Sequence, residues 1–238
     1  MTLSANEADI LDKIVGFGGY ATKEMIALYR KDITADRCYR ILKSLESKNY
    51  IKQREYFQSH RQPDVFQVTK KACRLFGREE AYMRKKHKPF AIRRYLIRSH
   101  FLFLLVGKGI NIKHYSPESR AEYLKNRGFT EYYLQKRNDA VQVDEFIIDD
   151  AKFSKGNNIT LVYTDNPDDN AYRQIAILLE KYNLMLKHKS AFLDFLIVTE
   201  GAAKAELYME AYHKRFFKPV SMFDIKTAEI KRNYRPQY

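Results

Sequence analysis

The sequence predicts an α+β chain: a helical module carrying a two-stranded ribbon, followed by an α/β layer. Three observations carry this. Within the first 80 residues, three amphipathic helical segments precede two short strands around a polar tip. From Gly128 onward the pattern turns to strands alternating with helices. The charge divides the same way. Residues 1–98 hold 22 Lys and Arg against 11 Asp and Glu, a balance of +11, while the remaining 140 residues hold 21 against 18, a balance of +3.

The first helix opens on Ser4-Ala5-Asn6-Glu7, which has the form of a capping box. Ile10, Leu11, Ile14 and Val15 follow at helical spacing, and Gly16, Gly18 and Gly19 stop it. Thr22 caps a second short helix whose apolar face is Met25, Ile26 and Leu28. After the polar turn Arg30-Lys31-Asp32, Thr34 caps a third helix. On it Cys38, Ile41, Leu42 and Leu45 fall on one face, and Asp36, Arg37, Arg40, Lys43 and Ser44 on the other. Asn49 suits a left-handed stop.

Tyr50 to Tyr56 then reads as a strand, residues 57–63 as a polar tip and Val65 to Val68 as the returning strand. Thr69 caps a further helix through Ala72, Leu75 and Phe76. Three helices followed by a ribbon is the order of a winged helix-turn-helix, so residues 1–80 are expected to form a DNA-binding domain of that kind. Its third helix would enter the major groove with Arg37, Arg40 and Lys43 facing the DNA. His60 and Arg61 would sit at the tip of the wing, against the neighbouring backbone. Arginine can read guanine edges with two bonds, whereas lysine mostly holds phosphate.

Residues 81–109 form a basic connector and helix. Residues 84–98 alone carry seven Lys or Arg. Arg84, Lys85 and Lys86 either grip phosphates beyond the first site or belong to a solvated linker. A helix is expected from about Ala91 to Val106, with Ile92, Leu96, Phe103 and Val106 on its apolar stripe and Gly107 and Gly109 past its end. His100 on this helix reads as a packed residue.

Residues 110–238 carry the α/β pattern. Strands are expected at Phe129 to Leu134, Ala140 to Ile148, Ile159 to Tyr163, Phe195 to Val198 and within 219–230. Lys155-Gly156-Asn157-Asn158 is a turn signal. Helices are expected from Asp169 or Asn170 through Tyr182, and over 202–216.

A chain reversal at Gly156-Asn157 would bring Asp139 and Asp165 to the same end of a hairpin. Two such hard oxygen donors can hold Mg²⁺ or Mn²⁺, which polarises a phosphodiester and acidifies a bound water. Lys181 on the next helix could neutralise developing charge. A rival grouping, Asn138-Asp139 then Asp150-Ala151-Lys152, is similar to the PD…(D/E)xK string of restriction-type nucleases and needs the reversal near Asp144-Glu145. Each of these acids is also compatible with simple surface solvation.

Other classes are disfavoured. The only cysteines, Cys38 and Cys73, support neither a disulfide scaffold nor a cysteine-rich zinc module. There is no Walker motif, no G-x-S-x-G and no pair of histidines flanking one hydrophobic residue. The longest strongly apolar run, Phe101 to Val106, is too short to span a bilayer, and residues 1–12 lack an apolar signal core. A cytoplasmic protein with no membrane role is therefore expected. With a net charge of +14 and a pI near 9.6, its partner is expected to be polyanionic, double-stranded DNA in this reading.

Over about residues 5–200 the chain resembles the replication-relaxation family of plasmid and mobile-element proteins, which includes the mobilisation-protein-C type of relaxase. The likeness lies in Glu7-Ala8-Asp9-Ile10-Leu11, Arg40-Ile41-Leu42-Lys43-Ser44-Leu45, Val68-Thr69 and Arg98-Ser99-His100. It continues in Asp139-Ala140-Val141, Leu161-Val162-Tyr163-Thr164-Asp165 and Lys181-Tyr182. The resemblance implies a DNA-binding module joined to a restriction-endonuclease-like domain. Such a protein would bind a plasmid transfer origin, nick one strand with a divalent metal and work beside other transfer-complex proteins. Two positions depart from the pattern: Asn138 stands where Pro is expected, and Tyr163 where a Glu ligand is expected. The competing reading is a non-catalytic DNA-binding protein, either a plasmid replication initiator or a transcriptional regulator.

Overall fold

The computed structural model describes residues 2–54, 64–78, 89–112, 122–123, 126, 146–148, 150, 159–164, 193–199 and 223–229. It contains helices and two small sheets, an α+β chain, and it divides into two compact units with a boundary in the chain between Gly109 and Ile110.

In the first unit, α1 (Ala5–Gly16) begins with both halves of the capping box formed. Ser4 N donates to Glu7 Oε2 at 2.7 Å, and Glu7 N donates to Ser4 Oγ at 3.3 Å. Gly18 and Gly19 take φ of 122° and 82°, a left-handed path open to glycine, and turn the chain into β1 (Tyr20–Ala21). Thr22, Thr34 and Thr69 each cap the helix that follows: α2 (Lys23–Tyr29), α3 (Ala35–Ser47) and α4 (Lys70–Leu75). Asn49 ends the α3 region at φ 60°.

The ribbon is β2 (Ile51–Arg54) and β3 (Val65–Val68), paired antiparallel from Ile51↔Val68 to Arg54↔Val65. β1 adds to the other side of β3 through Tyr20↔Gln67 and Ala21↔Phe66, giving the order β1-β3-β2. β3 is therefore central and all four of its residues are buried, whereas β2 is an edge. β1 was not foreseen, because two residues are too short to show an alternating pattern.

The core of this unit is completed by α5 (Pro89–Gly107). Every residue from Leu96 to Phe103 is buried, including Arg98, Ser99 and His100. A helical stretch buried on all sides is a core element rather than a surface one. Its ring contacts tie it to the chain around β1: Phe103 meets Phe17 edge-on at 4.9 Å, and Tyr95 stacks on Tyr20 at 5.8 Å. Ser99 Oγ donates to the Phe17 carbonyl at 2.9 Å. Gly107, expected beyond the helix, is its last residue. A Cβ there would run into the Leu28 carbonyl, so only glycine lets the end of α5 lie directly on the α2 backbone. Leu75, expected on an apolar face, is 52% exposed. α4 has only six residues, and it turns Ala72 and Cys73 inward instead.

The second unit contains a four-stranded sheet of order β4-β5-β6-β7, formed by Phe146–Ile148, Ile159–Thr164, Leu193–Thr199 and Phe223–Glu229. β4 and β5 run antiparallel, so the chain reverses between Ile148 and Ile159. β5, β6 and β7 run parallel, in registers such as Leu161↔Phe195 and Phe195↔Ile225. Ile147, Ile148, Val162, Thr164, Leu196 and Val198 are buried. Parallel neighbours need crossover connections. Those connections, the helices expected over 169–182 and 202–216, the strand expected over 129–134 and the first part of the 140–148 strand all lie outside the described residues.

Candidate nucleic-acid interface

α3 owes its amphipathic form to Cys38, Leu42 and Leu45, which are fully buried. Its N-terminus is fixed by Thr34, whose hydroxyl accepts the Arg37 amide at 3.3 Å. Its C-terminal half is fixed from behind by Glu7. That carboxylate accepts Lys48 Nζ at 2.8 Å and Ser44 Oγ at 2.7 Å. Burial alone would push the Glu7 carboxyl up. The bonds from Lys48, Ser44 and Ser4 outweigh it and hold the pKa at about 2, so the group is ionised at neutral pH.

The outward face of α3 presents Arg37 and Arg40. Both are exposed, and neither guanidinium forms an ion pair or side-chain hydrogen bond with another described residue. The cation just before the helix behaves differently. Arg30 forks onto Asp32, with Nε and one terminal nitrogen each at 2.8 Å, and another nitrogen meets Asn6 at 3.0 Å. The Arg30 pairing holds the Asp32 carboxyl at about 2. Beside it, Tyr29 donates its hydroxyl to both oxygens of Asp9, and burial together with that carboxylate pushes the phenol up to about 12. Arg30 thus braces α1 and the turn before α3, while Arg37 and Arg40 remain open to a ligand.

Lys43 was expected beside them. Its ammonium is engaged within the protein, donating to Glu46 Oε2 at 2.8 Å and to Gln53 Oε1 at 2.6 Å. It also lies over the Tyr39 and Phe66 rings at 5.7 and 5.5 Å. The Glu46 bond raises the Lys43 pKa; the Glu46 carboxyl, pushed up by burial, is drawn down further by Lys43 and the Gln53 amide. On β2, Lys52 is exposed and its pKa is lowered by partial burial and by the charge of Arg54. Arg54 itself donates to Gln67 Oε1 at 2.6 Å.

Glu46 and Gln53 were not singled out in the sequence. The i,i+3 spacing of Lys43 and Glu46 was the available signal. The other expected DNA contacts, His60, Arg61, Arg84, Lys85 and Lys86, lie outside the described residues.

So do Asp139, Asp165, Lys181 and Lys152. Asp150 is described: it is half-buried, and its Oδ2 accepts the Asn111 amide at 2.7 Å. Among the described residues no group of three or more His, Cys, Asp or Glu could hold a metal ion. No described helix is long and apolar enough to cross a membrane.

No family model, no curated protein and no solved structure matches this chain.

Proposed function

We propose that this chain binds duplex DNA through a winged helix-turn-helix formed by α1, α2, α3 and the β2–β3 ribbon. The observation that carries the reading is the pair Arg37 and Arg40, exposed without internal ion pairs on a helix whose opposite face is locked into the core. Two unspent guanidiniums on a rigid helix are suited to base edges and phosphates, and the basic balance of residues 1–98 supplies attraction to the backbone. Lys52, exposed on the edge strand, adds to that attraction.

The family resemblance extends the proposal to plasmid mobilisation or relaxation. The chain would bind a transfer origin alongside other transfer-complex proteins, and a restriction-endonuclease-like second unit would nick one strand. The mixed sheet β4–β7 would be the scaffold, and Asp139 and Asp165 would hold Mg²⁺ or Mn²⁺ with Lys181 nearby. The metal would polarise the scissile phosphate and acidify water. Tyr163, which stands in β5 where the family pattern has a Glu ligand, favours the second reading: a DNA-binding protein without catalysis.

The test is a single preparation of the full chain. Binding to duplex DNA, weakening as salt rises, supports the first proposal, and its absence refutes it. Conversion of supercoiled plasmid to the open circle with Mg²⁺ or Mn²⁺, lost in Asp139→Ala and Asp165→Ala, supports the nickase. Binding without cleavage under either metal leaves the non-catalytic reading.

A further inference from the structure

The C-terminal half of α3 is fastened to the ribbon by an unbroken polar chain. Glu46 Oε2 receives Lys43 Nζ at 2.8 Å, and Glu46 Oε1 receives the backbone amide of Gln53 at 2.7 Å. The Lys43 ammonium also donates to Gln53 Oε1 at 2.6 Å. From Gln53, Nε2 reaches Asp64 Oδ1 at 2.7 Å, immediately before β3. One helix and both arms of the ribbon are therefore joined through four side chains.

The placement makes this more than a surface ion pair. β2 has β3 on one side only, so its other edge would leave the Gln53 amide to solvent, and Glu46 caps it instead. Lys43 spends its charge on a carboxylate, an amide oxygen and two ring faces. Pulling it out to a phosphate would break two short charge-assisted hydrogen bonds, one of them to a carboxylate. Arg37 and Arg40, lying toward the other end of the same helix, carry no such cost.

We propose that Lys43 and Glu46 are positioning residues: the chain Lys43–Glu46–Gln53–Asp64 sets the pose of the β2–β3 ribbon against α3, and Lys43 is not a phosphate ligand. The functional half of this inference rests on the DNA-binding reading. In that reading α3 and the ribbon must meet the same duplex together, so a ribbon that swings loses its contacts beside the α3 site.

The experiment compares full-length wild type, Lys43→Met and Glu46→Gln on a duplex site selected from a random-sequence pool, across a salt series. Thermal unfolding midpoints establish that the variants are folded, and Gln53→Ala provides a third break in the same chain. Positioning predicts that all three variants bind about tenfold more weakly, keep the wild-type salt slope, and lose backbone protection only on the flank of the site. A phosphate-ligand role for Lys43 predicts a different salt slope for Lys43→Met and the opposite sign for Glu46→Gln. Lys43→Met would lower the salt slope by about 0.9, and Glu46→Gln would bind more tightly by releasing the ammonium and removing an acid. Either result overturns the proposal. Amide exchange on the DNA-free chain separates this from failure of the DNA reading. Gln53 N–H should exchange faster in Glu46→Ala, and unchanged exchange would overturn the clasp even if DNA binding stands. A wild-type chain that binds no duplex refutes the DNA reading, and the exchange measurement then decides the clasp alone.

Discussion

Lys48 Nζ lies 2.8 Å from each carboxylate oxygen of Glu7, joining the start of α1 to the end of α3 across 41 residues of sequence. The same carboxylate closes the capping box of α1 and takes the Ser44 hydroxyl, so one nearly buried acid organises two helices.

Glu7→Gln should destabilise the first unit by about 2–3 kcal/mol, because it removes a charged acceptor from bonds that are mostly out of water. The pH dependence has a definite sign. The carboxyl sits at about 2 in the folded chain against an ordinary value of 4.5. Its contribution is complete above the ordinary value and is lost as pH falls from there toward 2. Urea unfolding at a series of pH values should show wild type losing stability over that window and Glu7→Gln losing less. A wild-type midpoint that stayed flat across it would contradict the pairing.

Arg37→Ala and Arg40→Ala should each weaken binding to a selected duplex by roughly 1–3 kcal/mol if they touch bases, with little change in unfolding midpoint. Both side chains are exposed, so folding does not depend on them. Full affinity in both variants would move the interface off this face of α3.

Thr34→Ala tests whether the pose of α3 depends on its first turn. Loss of the cap should cost about 1 kcal/mol in stability. Thr34 touches no proposed DNA contact except through the Arg37 amide, so a matched loss of duplex affinity measured by anisotropy would report fraying of the helix start.

Gly107→Ala adds one methyl against the Leu28 carbonyl, where backbone cannot yield as a flexible side chain could. A loss of about 2–3 kcal/mol is expected, with α2 and α5 forced apart. Gly109→Ala is the comparison. That glycine has no heavy atom near its would-be Cβ, and its φ of 72° is the only obstacle, so its cost should be smaller, about 1 kcal/mol. Equal costs at both positions in denaturant titrations would discount the close approach.

Much of the first unit was legible because its signals are local. Caps at Ser4, Thr22, Thr34 and Thr69 act within three residues, and Asn49 declares a left-handed stop by residue type alone. What escaped depends on residues distant in sequence. β1 is defined by its partner β3 rather than by its own two residues. Around α5, the helix was legible but the burial of Arg98 and Ser99 was not, and Ser99 finds its partner, the Phe17 carbonyl, 82 residues away in the sequence. Lys43 reads as a free cation on a polar face until β2 is laid beside the helix and brings Gln53 to it. In the second unit the strands at Ile159–Thr164 and Leu193–Thr199 were visible as apolar runs. Asp139 and Asp165, the carboxylates of the proposed metal pair, fall outside the described residues.

The burial of α5 decides where the chain can be divided. A fragment ending at residue 80 would leave Phe17 and Tyr20 without the rings of Phe103 and Tyr95, and would open the apolar interior beneath them to water. Such a truncation should be sticky and poorly folded however complete its helices and ribbon look on paper. A cut placed after Gly109 keeps α5, and the rings it brings to Phe17 and Tyr20, with the front half of the chain.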